Sequence, residues 1–150
     1  MTDDTLYQDL ILERARTPRH AGRLVCADAE AEGNNPMCGD RLSLQLRLAP
    51  DGTIAEAAHE ARGCAISLAS ADLLADAVRG LHPGEARALA ERFTDMVRTG
   101  DAEASLGDLR ALAGVHEFRS RIRCATLAWS ALGAALDTVP GTLVNEVTHG

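Results

Sequence analysis

Arg41-Leu42-Ser43-Leu44-Gln45-Leu46-Arg47-Leu48 alternates without a break: four leucines fall on one face, and Arg41, Ser43, Gln45 and Arg47 on the other. Period-two alternation marks a strand with one buried and one wet face. Pro50-Asp51-Gly52 follows with turn chemistry. Thr53 to Arg62 then returns antiparallel, its alternation diluted by alanines. The sequence predicts a hairpin, and the segments on either side of it read mainly as helix and loop.

Downstream, Gly63-Cys64 ends the second strand, and Ala65 to Arg79 sets Ile66, Leu68, Leu73, Leu74, Ala77 and Val78 at helical spacing before Gly80. Pro83-Gly84-Glu85 opens another helix running to Thr99, with Leu89, Phe93, Met96 and Val97 as its apolar stripe. Thr99 to Gly114 is helically indecisive, Ser120 to Leu136 predicts the last strong helix, and Thr138 to Gly150 reads as a frayed tail. Upstream, Leu6, Tyr7, Leu10, Ile11 and Arg14 predict a first helix stopped by Thr17-Pro18. Arg19 to Asn35 reads as polar loop with a short strand near Leu24-Val25. At 150 residues the chain has the length of a single domain, 1–150.

Composition narrows the chemistry. A formal charge of −7 and 3% aromatic content disfavour nucleic acid and anionic lipid as partners. All 15 cationic side chains are arginine, so Schiff-base chemistry, covalent pyridoxal phosphate and a phosphate-loop lysine are excluded together. The acidic start Met1-Thr2-Asp3-Asp4 does not resemble a secretory signal, and the apolar stretch Cys124 to Leu136 is too short to span a bilayer, so a cytoplasmic location is expected. Four cysteines in a reducing compartment point to metal binding or catalysis.

Three of them occupy element ends: Cys38 before the first hairpin strand, Cys64 at the strand-to-helix junction, Cys124 at the start of the last helix. Helix N-termini favour thiolate over thiol at Cys64 and Cys124. In Cys38-Gly39-Asp40 a thiol and a carboxylate are separated by one glycine, a corner able to chelate. The sequence separations are too long for a zinc-finger pattern, so the fold would have to bring these groups together. Cys26 lies in the polar loop with no motif around it, and the five histidines are scattered without a zincin spacing; each reads as a surface or satisfied residue. Trp129 reads as core.

The motifs Leu6-Tyr7…Pro18-Arg19…Gly22, Asn35-Pro36-Met37-Cys38-Gly39-Asp40-Arg41, Gly63-Cys64-Ala65-Ile66-Ser67 and Arg121-Ile122-Arg123-Cys124-Ala125-Thr126-Leu127…Trp129 together resemble the SufU branch of the IscU/NifU-N iron–sulfur assembly proteins. The resemblance implies an α+β fold, a small antiparallel sheet of about three strands packed against several helices. It also implies a metal site of Cys38, Asp40, Cys64 and Cys124. Scaffold members of the superfamily carry Leu-Pro-Pro-Val-Lys and a histidine before the last cysteine; here Phe118-Arg119-Ser120-Arg121-Ile122-Arg123 stands in their place. That departure favours zinc-dependent sulfur transfer over assembly of an iron–sulfur cluster on the chain, the alternative role and cofactor.

The implied partners are a SufS-type cysteine desulfurase and the downstream assembly machinery. The desulfurase would supply a replacement zinc ligand and free Cys38 to take persulfide sulfur. Asp40, a harder ligand than thiolate, would keep the site exchangeable. Arg41, Arg121 and Arg123, with Arg62, would offset the surplus negative charge of a four-anion site and steer an anionic persulfide inward.

Overall fold

The computed structural model describes residues 3–37 and 39–139. Its elements run α1 (Asp3–Arg16), β1 (Ala29–Asn35), β2 (Asp40–Leu48), β3 (Ile54–Arg62), α2 (Ala65–Ala77), α3 (Pro83–Thr99), a 3-10 segment (Ala104–Glu117) and α4 (Arg119–Asp137). The expected hairpin is β2–β3, antiparallel, pairing Leu42 with Ala61, Leu44 with His59 and Leu46 with Ala57. Its turn is held by the Asp51 carboxylate, which accepts from the Thr53 N–H (3.0 Å) and hydroxyl (2.7 Å). Leu42, Leu44 and Leu46 are buried on the inner face, against which α2 and α4 pack.

The third strand is not where the sequence suggested. Leu24 and Val25 lie in a loop, Val25 almost wholly exposed, and the strand is Ala29–Asn35, antiparallel to β2 in the order β1-β2-β3. Its inward positions, Ala29, Ala31 and Gly33, are small because α4 lies close over it: a Cβ on Gly33 would sit 3.0 Å from Leu127 Cδ1. Its outward carboxylates are partly answered by arginine, with Arg23 bridging Glu30 (2.9 Å) and Glu60 (2.7 Å). A strand with almost no apolar bulk cannot be recognised by hydrophobic alternation.

The helices fall where periodicity placed them. The Glu85 carboxylate accepts from the His82 N–H (2.9 Å) at the start of α3, which ends at Gly100 in the left-handed region (φ 85°). The indecisive stretch is a 3-10 segment broken at Gly107 (φ 57°, ψ −130°), whose period of three does not register on a 3.6-residue template. Trp129 is core, stacked on Phe93 with ring centroids 4.6 Å apart. Its indole N–H donates to the Ser70 hydroxyl (3.2 Å), which donates to the Ala125 carbonyl (2.6 Å), clipping α2 to α4. Thr138 and Val139 continue from the end of α4, and the rest of the expected tail, 140–150, lies outside the described residues. No helix among the described residues is long and apolar enough to cross a membrane.

A buried polar cluster fastens α1 to α2. Arg14 and Asp72 are both essentially inaccessible; the Arg14 Nε donates to Asp72 Oδ2 at 2.6 Å, and Arg14 also pairs with Asp76. Asp72 accepts further from the Arg19 N–H (3.0 Å), the His20 N–H (2.9 Å) and His59 Nε2 (2.9 Å). Burial alone would raise its carboxyl pKa, but the hydrogen bonds from His59, Arg19, Arg14 and His20 outweigh that and hold it well below the usual carboxylate range. His59 is only half satisfied: its Nδ1 is buried without a partner among the described residues.

Candidate metal centre

Asp40 opens β2, and strand alternation turns its side chain to the same inner face as Leu42, where it is fully buried. Cys64 caps α2 with extended backbone (φ −74°, ψ 162°), and its N–H donates to Asp40 Oδ1 at 2.9 Å. Its thiol lies 3.6 Å from Asp40 Oδ2. Cys124 comes from α4, in the second turn rather than at the N-terminus proper, and is buried. The ligand atoms of Asp40, Cys64 and Cys124 all lie within 4.8 Å of one another. Three residues up to 84 positions apart in sequence thus converge, and Cys38, the fourth expected ligand, lies outside the described residues.

The donor set fits zinc. Two thiolate sulfurs ~2.3 Å from one tetrahedral ion stand ~3.8 Å apart, so only a short inward adjustment separates this cluster from coordination. Burial disfavours the Asp40 carboxylate, yet hydrogen bonds from Ser67, Cys124, the Cys64 N–H and the Cys64 thiol outweigh that, and the group is held below its usual pKa. It is therefore anionic at neutral pH, as a ligand must be. Among the described residues, Asp40, Cys64 and Cys124 are the ones that could hold the ion, whose charge would keep the thiols deprotonated.

Gly63 makes the approach possible. It sits between β3 and α2 at φ 138°, and a Cβ there would lie 2.0 Å from Asp40 Oδ1. Gly63→Ala therefore combines backbone strain with displacement of the carboxylate. We expect a loss of ~1–3 kcal/mol in stability and weakened zinc binding in the same variant, read by denaturation and chelator competition.

The arginines separate into distinct positions. Arg121 has its guanidinium held above the ordinary pKa by its interactions with Cys64 and, to a lesser extent, Cys124. Arg123 lines an adjoining cleft of about 720 Å³ with Arg98, Arg119 and Asn34. Arg41 and Arg62 sit opposite each other across β2 and β3 and line a second cleft, Arg41 pointing to the face of the sheet away from Asp40. Sequence reading did not single out Ser67, a buried hydroxyl between the ligands. Its signal was available: it lies one helical turn after Cys64, on the same side of α2. Cys26 is exposed, in the loop before β1.

A three-stranded sheet thus delivers a carboxylate to two thiols, one capping α2 and one in the second turn of α4, a group of side chains that could hold a metal ion. The chain belongs to the family described as NifU-like N terminal domain, which matches residues 6–141. It is 41% identical over 132 residues, 86% of this chain and 88% of the relative, to a Bacillus subtilis (strain 168) protein named zinc-dependent sulfurtransferase SufU. It is also 41% identical over 133 residues, 87% and 82% of the two chains, to a Streptococcus pyogenes serotype M1 protein named iron–sulfur cluster assembly scaffold protein IscU. Among solved structures, the N-terminal NifU-like protein of Brucella abortus aligns with a TM-score of 0.80 at 27% identity, covering 91% of this chain and 95% of that one. The expected membership of the IscU/NifU-N family and the α+β class are both borne out.

Proposed function

We propose that this chain is a zinc-dependent sulfur acceptor of iron–sulfur cluster assembly, taking persulfide sulfur onto Cys38 from a SufS-type cysteine desulfurase. The observation that carries the reading is the convergence of Asp40, Cys64 and Cys124, beside the motif that holds Cys38. The similarity to a relative named for zinc-dependent sulfur transfer supports it. The complete absence of lysine assigns the pyridoxal-phosphate step to the partner.

The transfer is an exchange of one sulfur. The Cys38 thiolate attacks the terminal sulfur of the donor persulfide R–S–SH; the new bond is Cys38 Sγ–S, the donor S–S bond breaks, and the donor leaves as R–S⁻ while the proton stays on the transferred sulfur. No external oxidant or reductant is needed. Arg121, whose guanidinium Cys64 and Cys124 hold above its ordinary pKa, supplies positive charge that favours the attacking and leaving thiolates.

The test mixes the purified chain with a SufS-type desulfurase and cysteine, and follows both alanine release and the mass of the Cys38 peptide. Wild type should gain one sulfur atom on Cys38 and stimulate the desulfurase; Cys38→Ala should do neither. Full stimulation by Cys38→Ala would overturn the assignment. A chain isolated anaerobically with iron, sulfide and visible absorbance in place of zinc would instead favour the scaffold role, for which the streptococcal relative is named.

A further inference from the structure

We infer that Ser67 is the positioning residue of this centre: its hydroxyl fixes the Asp40 carboxylate in the orientation from which it ligates. This rests on the metal reading above and adds to it a residue that is not itself a ligand. Ser67 is 1% exposed, in the first turn of α2. Its Oγ lies 2.6 Å from Asp40 Oδ2, 3.1 Å from the Cys124 carbonyl and 3.8 Å from the Cys64 sulfur. One side chain therefore touches all three of the described ligand residues, on β2, α2 and α4.

A hydroxyl has one proton, so it cannot donate to Asp40 and to the Cys124 carbonyl together. The shorter distance and the charge of the acceptor select Asp40. The Cys124 carbonyl lies inside α4, where the helix supplies an N–H from four residues on, so it does not depend on Ser67. Asp40 does. Its Oδ1 is fixed by the Cys64 N–H, and Oδ2 by the Ser67 hydroxyl. The terminal torsion of an aspartate is intrinsically broad, and two N–H or O–H donors, one on each oxygen, define it where one would leave it to turn. Groups that hold a ligand in this way typically change metal affinity by ~10–100-fold when removed.

The experiment measures zinc affinity of the full chain by competition with a chromophoric chelator, for wild type, Ser67→Ala, Asp40→Ala and the double variant. Ser67→Ala should weaken zinc binding ~10–100-fold in the wild-type background. In the Asp40→Ala background the same change should matter by less than about twofold, because the hydroxyl acts through the carboxylate. A loss of equal size in both backgrounds would assign Ser67 to packing α2 on α4 and overturn the inference, and so would an unchanged affinity in Ser67→Ala. A wild-type chain that binds no zinc would overturn the metal reading itself, and this inference with it.

Discussion

Asp72→Ala should cost about 3–5 kcal/mol of folding stability, a large share of what a domain of this size has in total. The variant leaves Arg14, 1% exposed, without the carboxylate that accepts from its Nε, and strands the Arg19 and His20 N–H groups and one nitrogen of His59. An uncompensated buried cation is the costliest of these losses, since among the described residues Asp76 is left as its sole carboxylate partner and is itself partly exposed. With a urea slope of roughly 1.5–2 kcal/mol per M, the midpoint should fall by ~2 M. A drop under ~0.3 M would show that the cluster is dispensable to the fold.

The same cluster has a pH signature. The folded-state pKa of Asp72 is depressed from an ordinary value of 3.8, so its contribution is complete above that value and is lost as pH falls below it toward the folded-state pKa. Asp72→Asn should accordingly be less stable than wild type at pH 7, and the two should converge in strong acid. A gap that persists unchanged down to pH 2 would assign the stabilisation to shape and packing rather than to the charge.

What the sequence revealed follows the range of the interactions involved. The β2–β3 hairpin and most helices are written in local periodicity, and Asp40, Cys64 and Cys124 stand out because their residue types and neighbours carry chemistry. β1 was illegible because its inward residues are chosen for smallness beneath α4, a constraint set by Leu127, almost a hundred positions away. The Arg14–Asp72 pair was hidden for a similar reason. Arg14 occupies a stripe position of α1, and Asp72 an otherwise apolar stretch of α2; each looks like a minor irregularity until the helices are docked. A charge on each of two distant apolar faces was the available clue, since buried ions are retained only in pairs.

Cys124→Ser should abolish tight zinc binding while leaving the fold in place. Serine is nearly the shape of cysteine, and Cys124 is fully buried, so packing around it is preserved. What is lost is an anion: a serine hydroxyl is not ionised at neutral pH, whereas metal ligation requires thiolate. Removing a ligand should cost at least the ~100-fold that disturbing its supporting groups can cost. Zinc at a thousand times its dissociation constant stabilises a folded chain by about 4 kcal/mol, and a hundredfold weaker site retains only about 1.4 kcal/mol of that at the same concentration. Urea unfolding with and without zinc, run on both chains beside a chelator control, reads this difference directly. If the two chains gain equally from zinc, the ion is held elsewhere, and the convergence of Asp40, Cys64 and Cys124 is a packing arrangement without a ligand role.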